Sequence, residues 1–217
     1  MIDGVRLKVC GLTSLVDAEL ADRCGADYLG FILYPKSPRQ IALAQYAALA
    51  KRLPDRRRVA VSVEPTLDEL AAMRAAGFDY FQIHFRSETP HATVVAWSEL
   101  VGVERLWLAP KLPPASDVAP EWLPLAKYFL LDTFHESGFG GSGQVGDWAK
   151  FARHLAAHPT QKWILAGGLN PENIGDALRA SGARFVDVNS GVEAAPGVKD
   201  HEKLKRFVVA LHRARTA

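Results

Sequence analysis

Cysteine is scarce in this chain, and neither sign of charge is in excess. Cys10 and Cys24 are the only cysteines among 217 residues, too few for a disulfide framework. Lysine and arginine number 26 against 24 aspartate and glutamate residues, giving a formal net charge of +2. A nucleic-acid partner is not expected, because such binding needs a broad basic surface. The cysteine content suits a reducing compartment, and we expect a cytoplasmic protein.

Long apolar runs are missing as well. No stretch of the sequence approaches the roughly 20 apolar residues that a membrane helix requires, and the strand-like segment Leu7–Cys10 is reached without an apolar signal core. Histidine, cysteine and acidic residues show no metal-site spacing, and no Ser-His-Asp arrangement stands out. We therefore expect no membrane partner and no metal.

The sequence does contain β-rich runs that alternate with amphipathic helical segments from end to end, a pattern typical of βα units around a parallel sheet. It predicts a single-domain (β/α)8 barrel over residues 1–217, with helices between the strands. A doubly wound open sheet is the alternative, but its glycine-rich turn would be expected after the first strand, where only Gly11 lies. The predicted strands are Leu7–Cys10, Tyr28–Leu33, Val59–Val63, Tyr80–His84, Arg105–Ala109, Tyr128–Asp132, Trp163–Ala166 and Phe185–Asn189.

Helix starts support this division of the chain. Ser14 with Asp17 and Thr66 with Glu69 have the spacing of capping boxes. Asn170 stands before a proline, which predicts a helix cap followed by proline at the first helical position.

Polar residues at the carboxyl ends of the strands are the candidates for chemistry, because barrel enzymes place their active sites there. Cys10 could be a buried packing residue or a thiolate that faces the barrel mouth and accepts a proton. Asp132 could be a loop or cap aspartate or an active-site acid. His84, at the end of the fourth strand, could be a structural histidine or a ligand contact.

Glycine-dense loops follow the sixth, seventh and eighth strands. Flexibility is one explanation, and convergence of backbone N–H groups on an anion is the other. Barrels often bind phosphate after their last strands. Arg39 ends a loop with two prolines, and its fork geometry matches a carboxylate. The candidate anion-binding residues are Arg39, Gly141, Gly143, Gly167, Gly168, Ser190 and Gly191.

These motifs resemble the phosphoribosylanthranilate isomerase family of tryptophan biosynthesis almost from end to end. The matching segments are Lys8–Leu12, Gly25–Phe31, Pro35–Arg39, Gln82–His84, Asp132–Thr133, Gly140–Gly143, Ala166–Asn173 and Asp187–Glu193.

The resemblance implies an Amadori rearrangement that converts N-(5-phosphoribosyl)anthranilate into 1-(2-carboxyphenylamino)-1-deoxyribulose 5-phosphate. Asp132 matches the acid that protonates the ring oxygen, and Cys10 matches the base that removes the C2 proton. Arg39 matches the arginine that holds the anthranilate carboxylate, and the glycine loops match the phosphate cradle. The family implies no cofactor, a small phosphorylated substrate, and a monomer or homodimer. Burial would keep Asp132 protonated, while Lys8 is a candidate to favour the Cys10 thiolate.

Departures from the family pattern concentrate in the third to fifth strands, at Ser62, Glu64, Phe85 and Trp107, with Gln144 in the loop after the sixth. We expect them to bear on the aryl pocket, and Glu64 to point out of it if anthranilate is the aglycone. Two alternatives stay open: an isomerase of phosphoribosyl compounds with another aglycone, and a non-catalytic barrel that binds a phosphorylated metabolite.

Overall fold

The computed structural model describes residues 1–133 and 146–216. Eight parallel strands pair in sequence order, and β1 closes the barrel against β8. The predicted (β/α)8 class is confirmed. The strands are β1 Arg6–Val9, β2 Tyr28–Ile32, β3 Arg57–Val63, β4 Tyr80–Arg86, β5 Leu106–Lys111, β6 Tyr128–Leu131, β7 Lys162–Leu165 and β8 Phe185–Val188, followed by a small antiparallel hairpin of β9 Glu193–Ala195 and β10 Val198–Lys199.

Helices connect the strands, with one exception in the described part of the chain. Between β5 and β6 the 3₁₀ helix Pro120–Leu125 takes the place of an α-helix. The expectation of a helix in this unit is corrected, because its prolines remove the N–H donors that an α-helix needs. None of the helices in the described residues has the length and apolar character to span a bilayer. The α-helices are α1 Leu15–Arg23, α2 Leu43–Ala50, α3 Leu67–Ala75, α4 His91–Val101, α5 Trp148–Ala157, α6 Ile174–Ser181 and α7 His201–Thr216.

The two predicted capping boxes have different outcomes. At α3 the box is complete, since Thr66 Oγ1 accepts from Glu69 N at 3.2 Å and Glu69 Oε2 accepts from Thr66 N at 2.8 Å. At α1 only half of it forms, because Ser14 Oγ accepts from Asp17 N while the Asp17 carboxylate binds Lys199 N at 3.3 Å. The Asp17 side chain thus joins the first helix to the hairpin after β8.

Two apolar layers hold the barrel together: one between sheet and helices, the other inside the barrel. The amino-terminal end of the interior is closed by aromatic rings in edge-to-face, tilted and stacked contacts, with centroids 4.9–5.6 Å apart around Tyr28 and Trp107. This plug confines open space to the carboxyl end, where the candidate residues lie. The aromatic layer comprises Tyr28, Tyr80, Trp107, Tyr128 and Phe185.

Candidate active site

Two adjoining pockets open at the carboxyl ends of the strands. We call the first the central cavity, because it lies over the barrel axis between Cys10 and Asp132. The second, the arginine pocket, lies beside it and is lined by Arg39 and the loop after β2. His84 and Asn189 line both. One elongated ligand could therefore reach both pockets.

The structure brings most of the predicted site residues together. Arg39 lies in the arginine pocket. Gly141 and Gly143, together with Gln144, lie outside the described residues. The predicted residues that line the central cavity are Cys10, His84, Asp132, Gly167, Gly168, Ser190 and Gly191.

Asp132 follows β6 directly, with its side chain in the central cavity. Burial raises its pKa to about 6, and the nearby Asp187 carboxylate acts in the same direction. The hydrogen bond from Thr133 N to Asp132 Oδ1, 2.7 Å long, and the charge of Lys8 oppose this rise. A carboxyl group with such a pKa keeps a protonated fraction near neutral pH and can act as an acid.

Cys10 lies above a buried ion pair. Lys8 Nζ is 2.8 Å from Asp187 Oδ2 across the β1–β8 seam, and both side chains are almost fully enclosed. Burial would lower the pKa of Lys8, but the charge of Asp187 keeps it above its usual value. Burial raises the pKa of the Cys10 thiol, and Lys8 only partly opposes this. Lys8 acts on Cys10 in the expected direction, but burial outweighs it and the neutral thiol is favoured over the expected thiolate.

His84 stands between the two pockets as a neutral imidazole. Burial, helped by the charge of Lys8, lowers its pKa to about 4. Its Nε2 lies 2.8 Å from Gln82 Nε2 on the same strand face. In the part of the chain that the structure describes, His84 joins no group of three or more histidine, cysteine and acidic side chains suited to a metal ion. A neutral imidazole here can offer one ring nitrogen as a donor and the other as an acceptor.

Two glycines in the loops after β7 and β8 leave no room for a side chain. A Cβ on Gly167, whose φ is 87°, would lie 2.1 Å from Thr133 Oγ1, and one on Gly191 would lie 1.9 Å from Leu169 O. Glycine at both positions therefore lets the backbones close around the cavity.

The loop after β7 is fastened by asparagine side chains. Asn173 Nδ2 donates to Gly168 O at 2.9 Å, and Asn170 Oδ1 accepts from Glu172 N and Asn173 N. Helix α6 begins at Ile174 rather than beside Asn170. The predicted cap nevertheless forms, since the Asn170 side chain accepts from the second and third residues after it and Asn170 O accepts from Ile174 N at 3.1 Å, and only the regular helix begins later than expected.

Arg39 is bound by a carboxylate within the protein. Its Nε lies 3.0 Å from both carboxylate oxygens of Glu193, and its Nη2 lies 2.8 Å from Glu193 Oε2. Lys199 Nζ, 3.0 Å from Glu193 Oε1, binds the same group. Burial would raise the pKa of Glu193, but the hydrogen bonds and charges of both cations hold it below its usual value. The family motif includes Glu193, but sequence reasoning assigned it no role and missed Lys199.

The departures in strands β3 to β5 mostly lie away from the arginine pocket. Ser62 is buried and lines it. The Glu64 carboxylate instead accepts from Arg86 and from Thr89 Oγ1 outside both pockets. Its placement agrees with what we expected for an anthranilate enzyme.

The expectation that Phe85 and Trp107 bear on the aryl pocket is wrong, because neither residue lines the two pockets. Phe85 is fully buried against Trp97 and Trp122, where a phenylalanine contributes roughly 1.5–3 kcal/mol of apolar burial. Trp107 belongs to the aromatic layer at the opposite, amino-terminal end of the barrel. At both positions the departure from the family pattern therefore affects packing of the core and not the aryl pocket.

Comparison with known proteins places the site in a family. The family model for N-(5'phosphoribosyl)anthranilate (PRA) isomerase matches residues 7–210. A Magnetococcus marinus N-(5'-phosphoribosyl)anthranilate isomerase is 38% identical, with 97% of this chain and 96% of that protein covered. The Thermus thermophilus phosphoribosyl anthranilate isomerase structure has 36% identity and a TM-score of 0.78, covering 96% of this chain and 98% of that one.

A second solved structure holds a bound molecule. It is a phosphoribosyl anthranilate isomerase in complex with reduced 1-(o-carboxyphenylamino)-1-deoxyribulose 5-phosphate, 31% identical with a TM-score of 0.72 over 95% of this chain and 98% of that one. The family match spans nearly all of the chain and includes both pockets. The chain belongs to the N-(5'-phosphoribosyl)anthranilate isomerase family.

Proposed function

We propose that this protein converts N-(5-phosphoribosyl)anthranilate into 1-(2-carboxyphenylamino)-1-deoxyribulose 5-phosphate, with Asp132 as the acid and Cys10 as the base. One observation carries the proposal: Asp132 and Cys10 line one cavity that is bordered by the glycine-containing loops after β7 and β8 and adjoins the arginine pocket. The reaction needs one acid, one base and two anion sites, and each has a candidate here.

The first step uses Asp132. Its raised pKa leaves a proton for the ribose ring oxygen, so that the C1–O bond breaks and the anilino nitrogen lone pair forms a cationic Schiff base. Cys10 then takes the C2 proton, and the electrons of the C–H bond move toward nitrogen to give the enolamine. That enolamine tautomerises to the ketone product.

The ends of the substrate would occupy the two anion sites. Gly168, Ser190 and Gly191 border the central cavity, where backbone N–H groups can bind a phosphate. Arg39 offers its guanidinium to the anthranilate carboxylate in the adjoining pocket. A monomer or homodimer in the cytoplasm stays part of the proposal.

The direct test is loss of substrate fluorescence when purified protein meets N-(5-phosphoribosyl)anthranilate. Cys10→Ser and Asp132→Asn are each expected to lower kcat by roughly 10²–10⁴-fold, the range for a positioned base or acid. Cys24→Ser is the matched control, because that thiol lies at the end of α1. Absence of turnover by the wild type would refute the activity, and near-normal turnover by either variant would remove that residue from its role.

A further inference from the structure

The hairpin after β8 carries two charged side chains that the isomerisation does not itself require. Glu193 and Lys199 are directly opposite each other in the β9–β10 register, and their side chains are 5% and 0% exposed. Charged groups are rarely enclosed to this degree without a partner or a function. Both bind residues that line the arginine pocket: Glu193 binds Arg39, and Lys199 binds Asn189.

Glu193 is saturated with hydrogen bonds. Besides the fork of Arg39, its Oε1 accepts from Lys199 Nζ at 3.0 Å and from Gly197 N at 3.2 Å. Lys199 Nζ also donates to Asn189 Oδ1 at 3.0 Å, and Asn189 lines both pockets. The Glu193 carboxylate therefore fixes the Nε side of Arg39, while Nη1 forms no hydrogen bond with any residue that the structure describes.

The charges around Arg39 determine whether its Nη1 edge can bind an anion. Glu193 alone would neutralise Arg39 and cancel its attraction for an anion. Lys199 adds a second positive charge to the cluster, so two cations share one carboxylate. The Asp17 carboxylate binds the backbone N–H of Lys199 and lies beside His201, away from the Lys199 ammonium group. Lys36 also lines the pocket but is exposed, where water and salt screen its charge.

We propose that Lys199 and Glu193 are positioning residues that together make the arginine pocket selective for an aglycone with a carboxylate. Glu193 orients Arg39, and Lys199 offsets the charge of Glu193 so that Arg39 stays available to an anion. This inference rests on the proposed function, since it concerns the same substrate.

The test compares N-(5-phosphoribosyl)anthranilate with N-(5-phosphoribosyl)aniline, which lacks the carboxylate. The measured quantity is the ratio of their kcat/KM values. Lys199→Gln removes the charge but keeps donors for Glu193 and Asn189. We expect it to lower the ratio about tenfold or more through KM of the carboxylated substrate, with kcat and the aniline substrate changed by less than about threefold. Lys199→Arg should keep the ratio near that of wild type.

The double variant Lys199→Gln/Glu193→Gln separates charge from structure. It removes one cation and one carboxylate, so the charge hypothesis expects the ratio to recover at least threefold over Lys199→Gln, whereas a purely structural role predicts further loss. If Lys199→Gln does not fold, Glu193→Gln decides the matter: its amide oxygen can still accept from Arg39 and keep its orientation while the negative charge is lost, so the ratio should not fall, and a tenfold fall overturns the proposal. Equal effects on both substrates also overturn it. Failure of the wild type on the anthranilate substrate would instead refute the proposed function.

Discussion

Replacing Asp132 by asparagine is expected to stabilise the folded protein while it disables the reaction. Burial lifts the pKa of this carboxyl group from 3.8 to about 6. Below pH 3.8 the group is protonated in both the folded and unfolded chains and adds no penalty. Between these values the unfolded chain ionises more readily, so the native state loses stability as pH rises.

The magnitude follows from the two pKa values. Each pH unit between 3.8 and about 6 costs the native state about 1.4 kcal/mol, which gives an upper value of about 3 kcal/mol at neutral pH. Asparagine matches the protonated carboxyl in shape and can still accept the hydrogen bond from Thr133 N. Asp132→Asn should therefore raise the free energy of unfolding by up to about 3 kcal/mol at pH 7.5. In a domain of this size that is a rise in Tm of up to about 6–12 °C.

The assay is urea and thermal unfolding of wild type and Asp132→Asn between pH 4 and pH 8. The gain in stability should be near zero at pH 4, grow through pH 5 and level off above pH 6. Asp55→Asn, at an exposed position in the β2–β3 connection, is the control and should show no such trend. A pH-independent difference, or a variant less stable at pH 7.5, would refute the argument that burial penalises this carboxylate.

Three further predictions concern other parts of the molecule. Glu64→Asn should change kcat/KM for N-(5-phosphoribosyl)anthranilate by less than about threefold, because the carboxylate binds Arg86 and Thr89 outside the pockets; a tenfold gain would indicate another natural aglycone. Gly191→Ala should weaken inorganic phosphate binding in calorimetry and raise KM at least tenfold, since its Cβ meets Leu169 O, whereas Gly175→Ala, with only ordinary contacts, should not. Thr66→Ala should cost about 1 kcal/mol in urea unfolding through loss of the α3 cap, and no loss would mean that the cap is not a stabilising contact.

The order of the strands could be predicted from sequence because it depends on local patterns. Apolar runs, their spacing and the glycines between them gave all eight strands, within about two residues at each end. The cap at Asn170 could also be predicted, because an asparagine before proline combines a capping side chain with the φ that begins a helix. The exact start of the regular helix at Ile174 could not, since the residues between them form a turn.

The buried ion pairs could not be found in this way. Lys8 and Asp187 are 179 residues apart in sequence, and Arg39 and Glu193 are 154 apart. Only the closed barrel and the final hairpin bring them together. The position of Phe85, in contrast to these ion pairs, could be predicted from sequence. Neighbouring residues of a strand point to opposite faces, so Phe85 faces away from the cavity side of His84 and into the core between sheet and helices.

The central cavity also imposes an order on the proposed proton transfers. Because Lys8 is paired with Asp187, little net positive charge reaches Cys10, and burial favours the neutral forms of both Cys10 and Asp132. A neutral acid can protonate the ring oxygen at once, but a neutral thiol cannot remove a proton from carbon. Ring opening changes this balance, since it places a cationic Schiff base in the cavity and leaves Asp132 as an anion. The cation offsets the Asp132 anion, favours release of the Cys10 thiol proton to water and acidifies the C2 proton, so the base becomes effective only after the acid has acted.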